Sequence, residues 1–145
     1  MLLNKDKQVW VGSRLDADNY FQMPQGGIDD GEDIVQAMWR ELEEEIGLSN
    51  THCTLIEHNK NWLYYDLPQD ISQTIWKGKY RGQKQQWFVL QLHAEDTAIN
   101  INTAHPEFKE WKWIDRNKLA DAVIPFKKEI YKKVLQSFHH IWAVE

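Results

Sequence analysis

The segment from Asp33 to Gly47 constrains this chain more than any other. Apolar side chains recur in it every four residues, which predicts an amphipathic helix from about Asp33 to Ile46. Gly47 can take the left-handed conformation that commonly ends helices. The apolar side chains of this stripe are Ile34, Met38, Leu42 and Ile46.

Three carboxylates share one face at the C-terminal end of this helix. On a helical wheel, Glu41, Glu44 and Glu45 fall within about 100° of one another. The helix dipole disfavours each of these charges by roughly 0.3–1 kcal/mol, and the charges repel one another. Clustered oxygen ligands suit Mg²⁺ or Mn²⁺, whereas a solvated acidic face is the alternative that composition alone leaves open.

Charge is distributed unevenly around this helix. Residues 29–45 carry eight carboxylates and one base, whereas the rest of the chain has a net charge of +2. An acidic cluster in a mildly basic body is compatible with divalent cations and a polyanionic substrate. The overall charge of −5 therefore does not exclude a nucleotide or a nucleic acid as substrate.

The remaining pattern predicts one α+β domain over residues 1–145, with a mixed sheet between two main helices. A long functional loop is expected at residues 67–83, and Pro125 is expected to start a C-terminal helix. The apolar stripe of that helix is Phe126, Ile130, Val134, Phe138 and Ile141. The expected strands are Gln8–Arg14, Cys53–His58, Asn61–Asp66, Trp87–His93 and Glu110–Ile114.

Composition also excludes several classes of protein. No apolar run approaches the roughly 18 residues of a membrane span, and residues 1–7 contain no apolar stretch long enough for a signal peptide. A single cysteine, Cys53, excludes an internal disulfide framework. The six histidines lack zinc-site spacing. We therefore expect a soluble, cytoplasmic protein with no membrane association, and no sequence feature indicates a protein partner.

The spacing around the acidic helix resembles the Nudix box. The chain matches every fixed position of that motif, as Gly26-x5-Glu32-x7-Arg40-Glu41-Leu42-x-Glu44-Glu45-x-Gly47-Leu48. The Nudix box is the signature of hydrolases that cleave nucleoside diphosphates linked to another moiety. The resemblance implies a loop–helix–loop in an α/β/α sandwich, whose glutamates hold divalent cations, Mg²⁺ or Mn²⁺, against a pyrophosphate.

Segments outside the box resemble the branch of bacterial RNA pyrophosphohydrolases and dinucleoside polyphosphate hydrolases. These segments are QMPQGGI at 22–28, GQKQQWF at 82–88, PEF at 106–108, WKW at 111–113 and PFKK at 125–128. Members of this branch usually carry additional residues upstream, including a phosphate-contacting arginine. The first strand of this chain is therefore expected to be truncated.

The resemblance implies roles for the acidic residues. Glu41, Glu44 and Glu45 are the expected metal ligands, together with the Gly26 carbonyl and Glu107 from a loop. These four glutamates form the expected catalytic set, and either Glu41 or Glu107 acts as the base. Glu32 and Arg40 are expected to be structural, orienting the ligands and pairing charges.

Substrate contacts follow from the same likeness. Arg14 and Phe126 resemble residues that sandwich the first base, although Phe126 also fits the apolar stripe of the C-terminal helix. Gln25, Lys84 and Lys127 are candidate substrate contacts, and ordinary surface lysines are the alternative for the last two. The aromatic residues Trp62, Tyr64 and Tyr65 are expected in the sheet core, and Lys79 and Arg81 are expected along an RNA backbone.

Three functions are compatible with these residues. The first is Mg²⁺-dependent removal of pyrophosphate from 5′-triphosphate RNA, which leaves 5′-monophosphate RNA and starts 5′-end-dependent mRNA decay. The second is hydrolysis of diadenosine tetraphosphate to ATP and AMP. The third is a catalytically idle module that binds RNA or nucleotides, against which the intact glutamate set argues.

Overall fold

The computed structural model describes residues 1–16, 19–66 and 82–143. Within them, five strands form one mixed sheet in the order β3-β4-β1-β2-β5. The strands are β1 (Leu2–Leu3), β2 (Val9–Arg14), β3 (Cys53–Asp66), β4 (Gly82–Leu92) and β5 (Phe108–Ile114). Strands β1 and β4 run parallel, and the other neighbours run antiparallel.

The acidic helix, α1 (Ile34–Ile46), forms where the sequence predicts it. The Asp33 side chain accepts hydrogen bonds from the backbone N–H groups of Val35 and Gln36, which caps the N-terminus. Gly47 has a φ of 73°, and its N–H donates to the Glu43 carbonyl. Local sequence signals therefore set both ends of this helix.

Two apolar clusters lie on the two faces of the sheet. Leu42 and Ile46 of α1 pack in one cluster with Phe88 and Leu90 of β4. The other cluster joins Val9, Val11 and Val89 to the C-terminal helix, which contributes Ile130, Tyr131, Val134 and Phe138. A mixed sheet between helices on both faces confirms the predicted α+β sandwich.

The region after Pro125 is more broken than the predicted single helix. A 3₁₀ turn at Pro125–Lys127 leads into α3 (Lys128–Ser137), and a short α4 (His140–Ala143) follows. Helix α2 (Arg116–Ala122) precedes this turn and was not predicted from the sequence. The apolar stripe nevertheless faces the core, because Phe126 and Ile141 pack against the same cluster as the buried residues of α3.

Several strand predictions were wrong in their bounds, since β2 begins at Val9 and not at Gln8, and β5 at Phe108 and not at Glu110. Strand β3 is continuous from Cys53 to Asp66, and irregular register between Asn59 and Leu63 absorbs the polar residues that suggested a break. Strand β4 begins at Gly82, inside the predicted loop at 67–83. The rest of that loop, with Lys79 and Arg81, lies outside the described residues.

Strand β1 is only two residues long, as the short N-terminal segment predicted. It lies between β4 and β2, pairing at Leu2–Leu90 and Leu3–Val9. The Met1 ammonium donates a 2.6 Å hydrogen bond to the Phe88 carbonyl, and burial lowers its pKa to about 5. In the described part of the chain, no helix is long and apolar enough to cross a membrane.

Candidate active site

Glu45 is the most buried carboxylate of α1, with only 6% of the residue exposed. It directly precedes Ile46, so the same packing that buries the apolar stripe draws it against the sheet. Its Oε2 atom has no hydrogen-bond partner. The pKa of Glu45 is raised to about 8, mainly by burial and to a smaller extent by the charges of Glu41 and Glu107. A negative charge on Glu45 is therefore strongly disfavoured unless a cation neutralises it.

The loop preceding α1 lies against these carboxylates. A β-carbon at Gly26 would collide with the Glu41 carboxyl group, so glycine is required for this close approach. The backbone N–H of Gln25 bonds to Glu45. The N–H of Met23 donates to the Tyr131 hydroxyl at 2.9 Å, which anchors the loop to α3. The acidic face of α1 and the loop at 22–27, called the glycine loop below, thus form two walls of one acidic site.

Arg40 binds several carboxylates of the same segment. Its Nε and Nη2 atoms each donate to Glu32 at 2.8 Å, and Nη1 donates to Glu41 at 2.9 Å and Glu44 at 3.2 Å. Nη2 also donates to the Gly27 carbonyl at 2.9 Å. Hydrogen bonding to Arg40 lowers the pKa of Glu32 to about 2. The contacts of Arg40 extend beyond the single ion pair within α1 that the spacing suggested.

Glu107 reaches this site from the far edge of the sheet. Its residue is exposed just before β5, and its carbonyl accepts a 3.0 Å hydrogen bond from the N–H of Leu15 after β2. Pairing of β2 with β5 therefore brings this loop toward α1. The effect of Glu107 on the pKa of Glu45 shows that the two carboxylates are electrostatic neighbours.

The site offers the donor chemistry that a hard divalent cation requires. Carboxylate oxygens and the adjacent glycine carbonyl are oxygen ligands, and the buried Glu45 oxygen has no hydrogen-bond partner. Within residues 1–16, 19–66 and 82–143, no three acidic, histidine or cysteine side chains already stand together as a ligand shell. Arg40 accounts for the separation of these carboxylates, because its ion pairs hold Glu41 and Glu44. Glu44 is the most exposed of the three glutamates.

Two cations, Lys127 and Arg14, belong to the same region. Lys127 is 6% exposed, and its Nζ atom lies 3.4 Å from Gln25 Oε1 and 3.5 Å from Gln22 Oε1. Burial, together with the charge of Arg14, lowers the pKa of Lys127 to about 8. Arg14 is held by Asp16 through two hydrogen bonds of 2.8 and 2.7 Å. The interpretation of Lys127 as an ordinary surface lysine is wrong, since neutral amides surround a buried ammonium.

The aromatic candidates separate into buried and exposed groups. Tyr65 is buried and stacks on half-buried Phe126 with a centroid distance of 6.2 Å. Phe126 therefore both packs on the core and stacks on Tyr65. Trp62 and Tyr64 are exposed, so the prediction that they lie in the sheet core was wrong. Alternate residues of β3 face opposite sides of the sheet, so these two rings point away from the side that buries Tyr65. The Lys84 ammonium lies 4.7 Å from the centroid of Trp62.

A cavity of about 520 Å³ opens beside the carboxylates. It lies between α1, the glycine loop and β4. Its lining combines the polar groups of Gly26, Glu41 and Glu45 with the apolar side chains of Leu42, Phe88 and Leu90. An apolar cleft with a few convergent polar groups is typical of small-ligand sites.

Comparison with known proteins identifies the family. The family model of the NUDIX domain matches residues 1–136. The chain belongs to the Nudix family. Its Nudix domain is similar to the RNA pyrophosphohydrolase of Wolbachia sp. subsp. Brugia malayi (strain TRS), with 52% identity over 95% of this chain and 85% of that protein. It is 46% identical to the RNA pyrophosphohydrolase of Pelagibacter ubique (strain HTCC1062) over 97% and 89% of the two chains.

Solved structures share the Nudix fold at low sequence identity. The E. coli dihydroneopterin triphosphate pyrophosphohydrolase superposes with a TM-score of 0.71 and 20% identity, covering 91% of this chain and 88% of that one. A C. elegans Ap4A hydrolase in a binary complex superposes with a TM-score of 0.61 and 18% identity, covering 96% and 95%. These two likenesses confirm the predicted fold.

Sequence reasoning missed several polar residues at this site. Gln22, Gln85 and Asp16 received no role, although Gln22 and Gln85 lie within segments that carried the family resemblance. Their amides approach Gln25 or Lys127 only because β4 and the Pro125 turn meet beside the loop at 22–27. Only the sequence spacing of Asp16, two residues after Arg14, could have indicated its ion pair.

Proposed function

We propose that this protein is a divalent-metal-dependent RNA 5′-pyrophosphohydrolase, which converts 5′-triphosphate RNA to 5′-monophosphate RNA and pyrophosphate. One geometric relationship carries the proposal. The buried carboxylate of Glu45 has Glu41 and Glu107 as acidic neighbours and Arg14 as a basic neighbour, and Arg14 is in turn a neighbour of Lys127. A polyphosphate carrying divalent cations has the charge pattern that complements this arrangement.

The proposed metal ligands are Glu41, Glu44, Glu45, Glu107 and the Gly26 carbonyl. The donor chemistry favours Mg²⁺ or Mn²⁺. When bound, such an ion supplies charge neutralisation at the pyrophosphate and a lowered pKa for a bound water. Arg40 and Glu32 have a supporting role, in which their ion pair holds the start of α1 and orients Glu41.

The chain's own residues perform the remaining steps. A carboxylate oxygen of Glu41 or Glu107 accepts a proton from the attacking water as its oxygen bonds to phosphorus. The bond between that phosphorus and the bridging oxygen of the departing pyrophosphate then breaks. Lys127 contacts the phosphates, Gln25 and Lys84 line their path, and Arg14 with Phe126 holds the first base. Stacking of this kind accepts any base, at roughly 1–3 kcal/mol per base.

A second candidate substrate is diadenosine tetraphosphate, which would give ATP and AMP. The exposed ring of Trp62 stands in the wall of the cavity that opens at Glu41, under the Lys84 ammonium. An aromatic ring at this position favours a substrate with a second nucleobase. A catalytically idle module fits less well, because a binding module gains nothing from the buried, unpartnered Glu45 oxygen.

A product assay on both substrates tests the proposal. We expect pyrophosphate release from 5′-triphosphate RNA in Mg²⁺, none in a chelator, and none from Glu45→Gln. A larger kcat/KM on diadenosine tetraphosphate than on RNA would reverse the order of the two functions. No product from either substrate, in a folded protein with Mg²⁺ or Mn²⁺, would leave only the idle module.

The proposed cellular setting follows from this chemistry. We propose that residues 1–145 act as one Nudix domain, since both main helices pack on the same sheet. The 5′-monophosphate product is the form that initiates 5′-end-dependent mRNA decay in the cytoplasm. In this scheme, the protein recognises the 5′ end of the RNA without a protein partner.

A further inference from the structure

Hydrogen-bonded polar side chains connect β4 to Lys127 beneath the loop at 22–27. The Trp87 indole N–H donates to Gln85 Oε1 at 3.0 Å. The Gln85 amide then donates to Gln25 Oε1 at 3.4 Å. The same Gln25 oxygen accepts from the Lys127 ammonium, also at 3.4 Å. The four side chains therefore form one connected set, which we call the Trp87 relay.

Both ends of the Trp87 relay can only donate, which sets the direction of the bonds between them. A glutamine amide can present either its oxygen or its nitrogen, whereas an indole N–H only donates. Gln85 must therefore turn its oxygen toward Trp87 and its nitrogen toward Gln25. Gln25 must in turn present its oxygen, which is the atom that can face the Lys127 ammonium. If the indole donor is removed, the Gln85 amide can reverse, and the Gln25 oxygen then loses the donor that holds it from β4.

The anchor of the relay is rigid. Trp87 is buried, and its ring meets the fully buried Tyr131 ring edge-to-face, with centroids 5.9 Å apart. The Tyr131 hydroxyl accepts from the Met23 backbone, two residues before Gln25. The packed rings of Trp87 and Tyr131 thus hold the loop at 22–27 through both a side chain and the backbone. A group fixed in this way loses little conformational entropy when a ligand arrives.

We propose that Trp87 and Gln85 are positioning residues that hold Gln25 and Lys127 ready for the pyrophosphate group of the substrate. Neither residue is assigned a contact with the substrate. This inference rests on the proposed function in one respect, namely that Lys127 binds phosphate. The indole N–H of the buried Trp87 thereby has a role that the packing of its ring does not require.

A double-mutant cycle on ligand binding tests this role. The probe is inorganic pyrophosphate in Mg²⁺, because the proposed reaction releases it and does not consume it. We expect Trp87→Phe, which keeps the ring and removes the N–H, to raise the Kd by about 3–10-fold. We expect Lys127→Met to raise it further, and the double variant to bind no more weakly than Lys127→Met alone.

A matched control separates the relay from a general loss of packing. The Trp142 indole also donates a 3.0 Å hydrogen bond, but to the Lys7 carbonyl and not to a side chain of the Trp87 relay. Trp142→Phe should leave the Kd unchanged in both backgrounds. In turnover of 5′-triphosphate RNA, Trp87→Phe should raise KM while kcat changes little.

Several results would overturn the inference. These are an unchanged Kd in Trp87→Phe, additive losses in the double variant, or no effect of Lys127→Met. Absence of pyrophosphate binding to the wild-type protein would do the same. If Trp87→Phe does not fold, Gln85→Met, at a half-buried position, replaces it in the cycle. Coupled pyrophosphate binding without RNA turnover would refute the proposed function and leave the relay intact.

Discussion

Gly26 lies so close to the Glu41 carboxyl group that a β-carbon at position 26 would occupy the same space. The glycine loop and α1 are therefore in direct contact at the acidic site. The position of the Glu41 oxygens depends on the absence of a side chain across from them. This contact gives the spacing between Gly26 and Glu41 in the sequence a steric reason.

Gly26→Ala should displace the Glu41 carboxylate and lower kcat by about 100-fold, a magnitude typical of a catalytic group misplaced by about 1 Å. The matched control is Gly27→Ala, where a β-carbon would meet no heavy atom within 4 Å. Steady-state kinetics on 5′-triphosphate RNA compare the two variants. Equal activity of both would show that the Glu41 position does not limit the reaction.

The metal-free protein should lose stability as the pH rises, because the folded pKa of Glu45, about 8, lies above the ordinary glutamate pKa of 4.5. Folding then favours the protonated form, so this stabilisation is complete below about pH 4.5 and disappears as the pH approaches 8. Urea unfolding in a chelator between pH 5 and 8 measures the loss. Glu45→Gln should remove this component of the slope, and an unchanged slope would refute the assignment.

Loss of Arg40 should destabilise the fold, because it leaves half-buried Glu32 and Glu41 without their cation. We expect Arg40→Ala to reduce the free energy of unfolding by clearly more than the loss of one exposed ion pair does, and Arg40→Lys to restore little, since lysine lacks the planar fork. The control is Lys132→Ala, which breaks an exposed pair with Glu129 and should change stability by less than about 1 kcal/mol. Similar effects at the two positions would contradict the described network.

The lowered pKa of Lys127, about 8, should appear in the pH dependence of catalysis. The ammonium is charged below this pH and neutral above it, so kcat/KM should fall as the pH rises past about 8. Lys127→Met should have lower activity near neutral pH and should lack this alkaline limb. Persistence of the same limb in Lys127→Met would assign it to another group.

Sequence alone predicted those features whose causes are local. Asp33, the four-residue apolar period and Gly47 define α1 without reference to the rest of the chain. The short α2 and the irregularity between Asn59 and Leu63 escaped prediction, because packing and strand pairing determine them. In a sequence, a polar stretch suggests that a strand ends there, and only the partner strand shows that pairing continues beyond it.

The same distinction holds for the site. Helical spacing brought Glu41, Glu44 and Glu45 to one face, whereas the approach of Glu107 depends on the pairing of β2 with β5. The burial of Lys127 depends on the turn after Pro125, which a helical wheel does not represent. Lysine is rarely buried, so composition argued for the surface, and only the tertiary structure reveals a lysine placed among amides.

Analysis of the phosphate product released from 5′-triphosphate RNA tests the central claim most directly. RNA labelled at the β- and γ-phosphates is incubated in Mg²⁺ with wild-type protein and with Glu45→Gln. The account predicts labelled pyrophosphate and 5′-monophosphate RNA from the wild type, and intact substrate from the folded variant. Undiminished pyrophosphate release by Glu45→Gln would contradict the assignment of the carboxylate site, and no release by the wild-type protein would contradict the proposed activity.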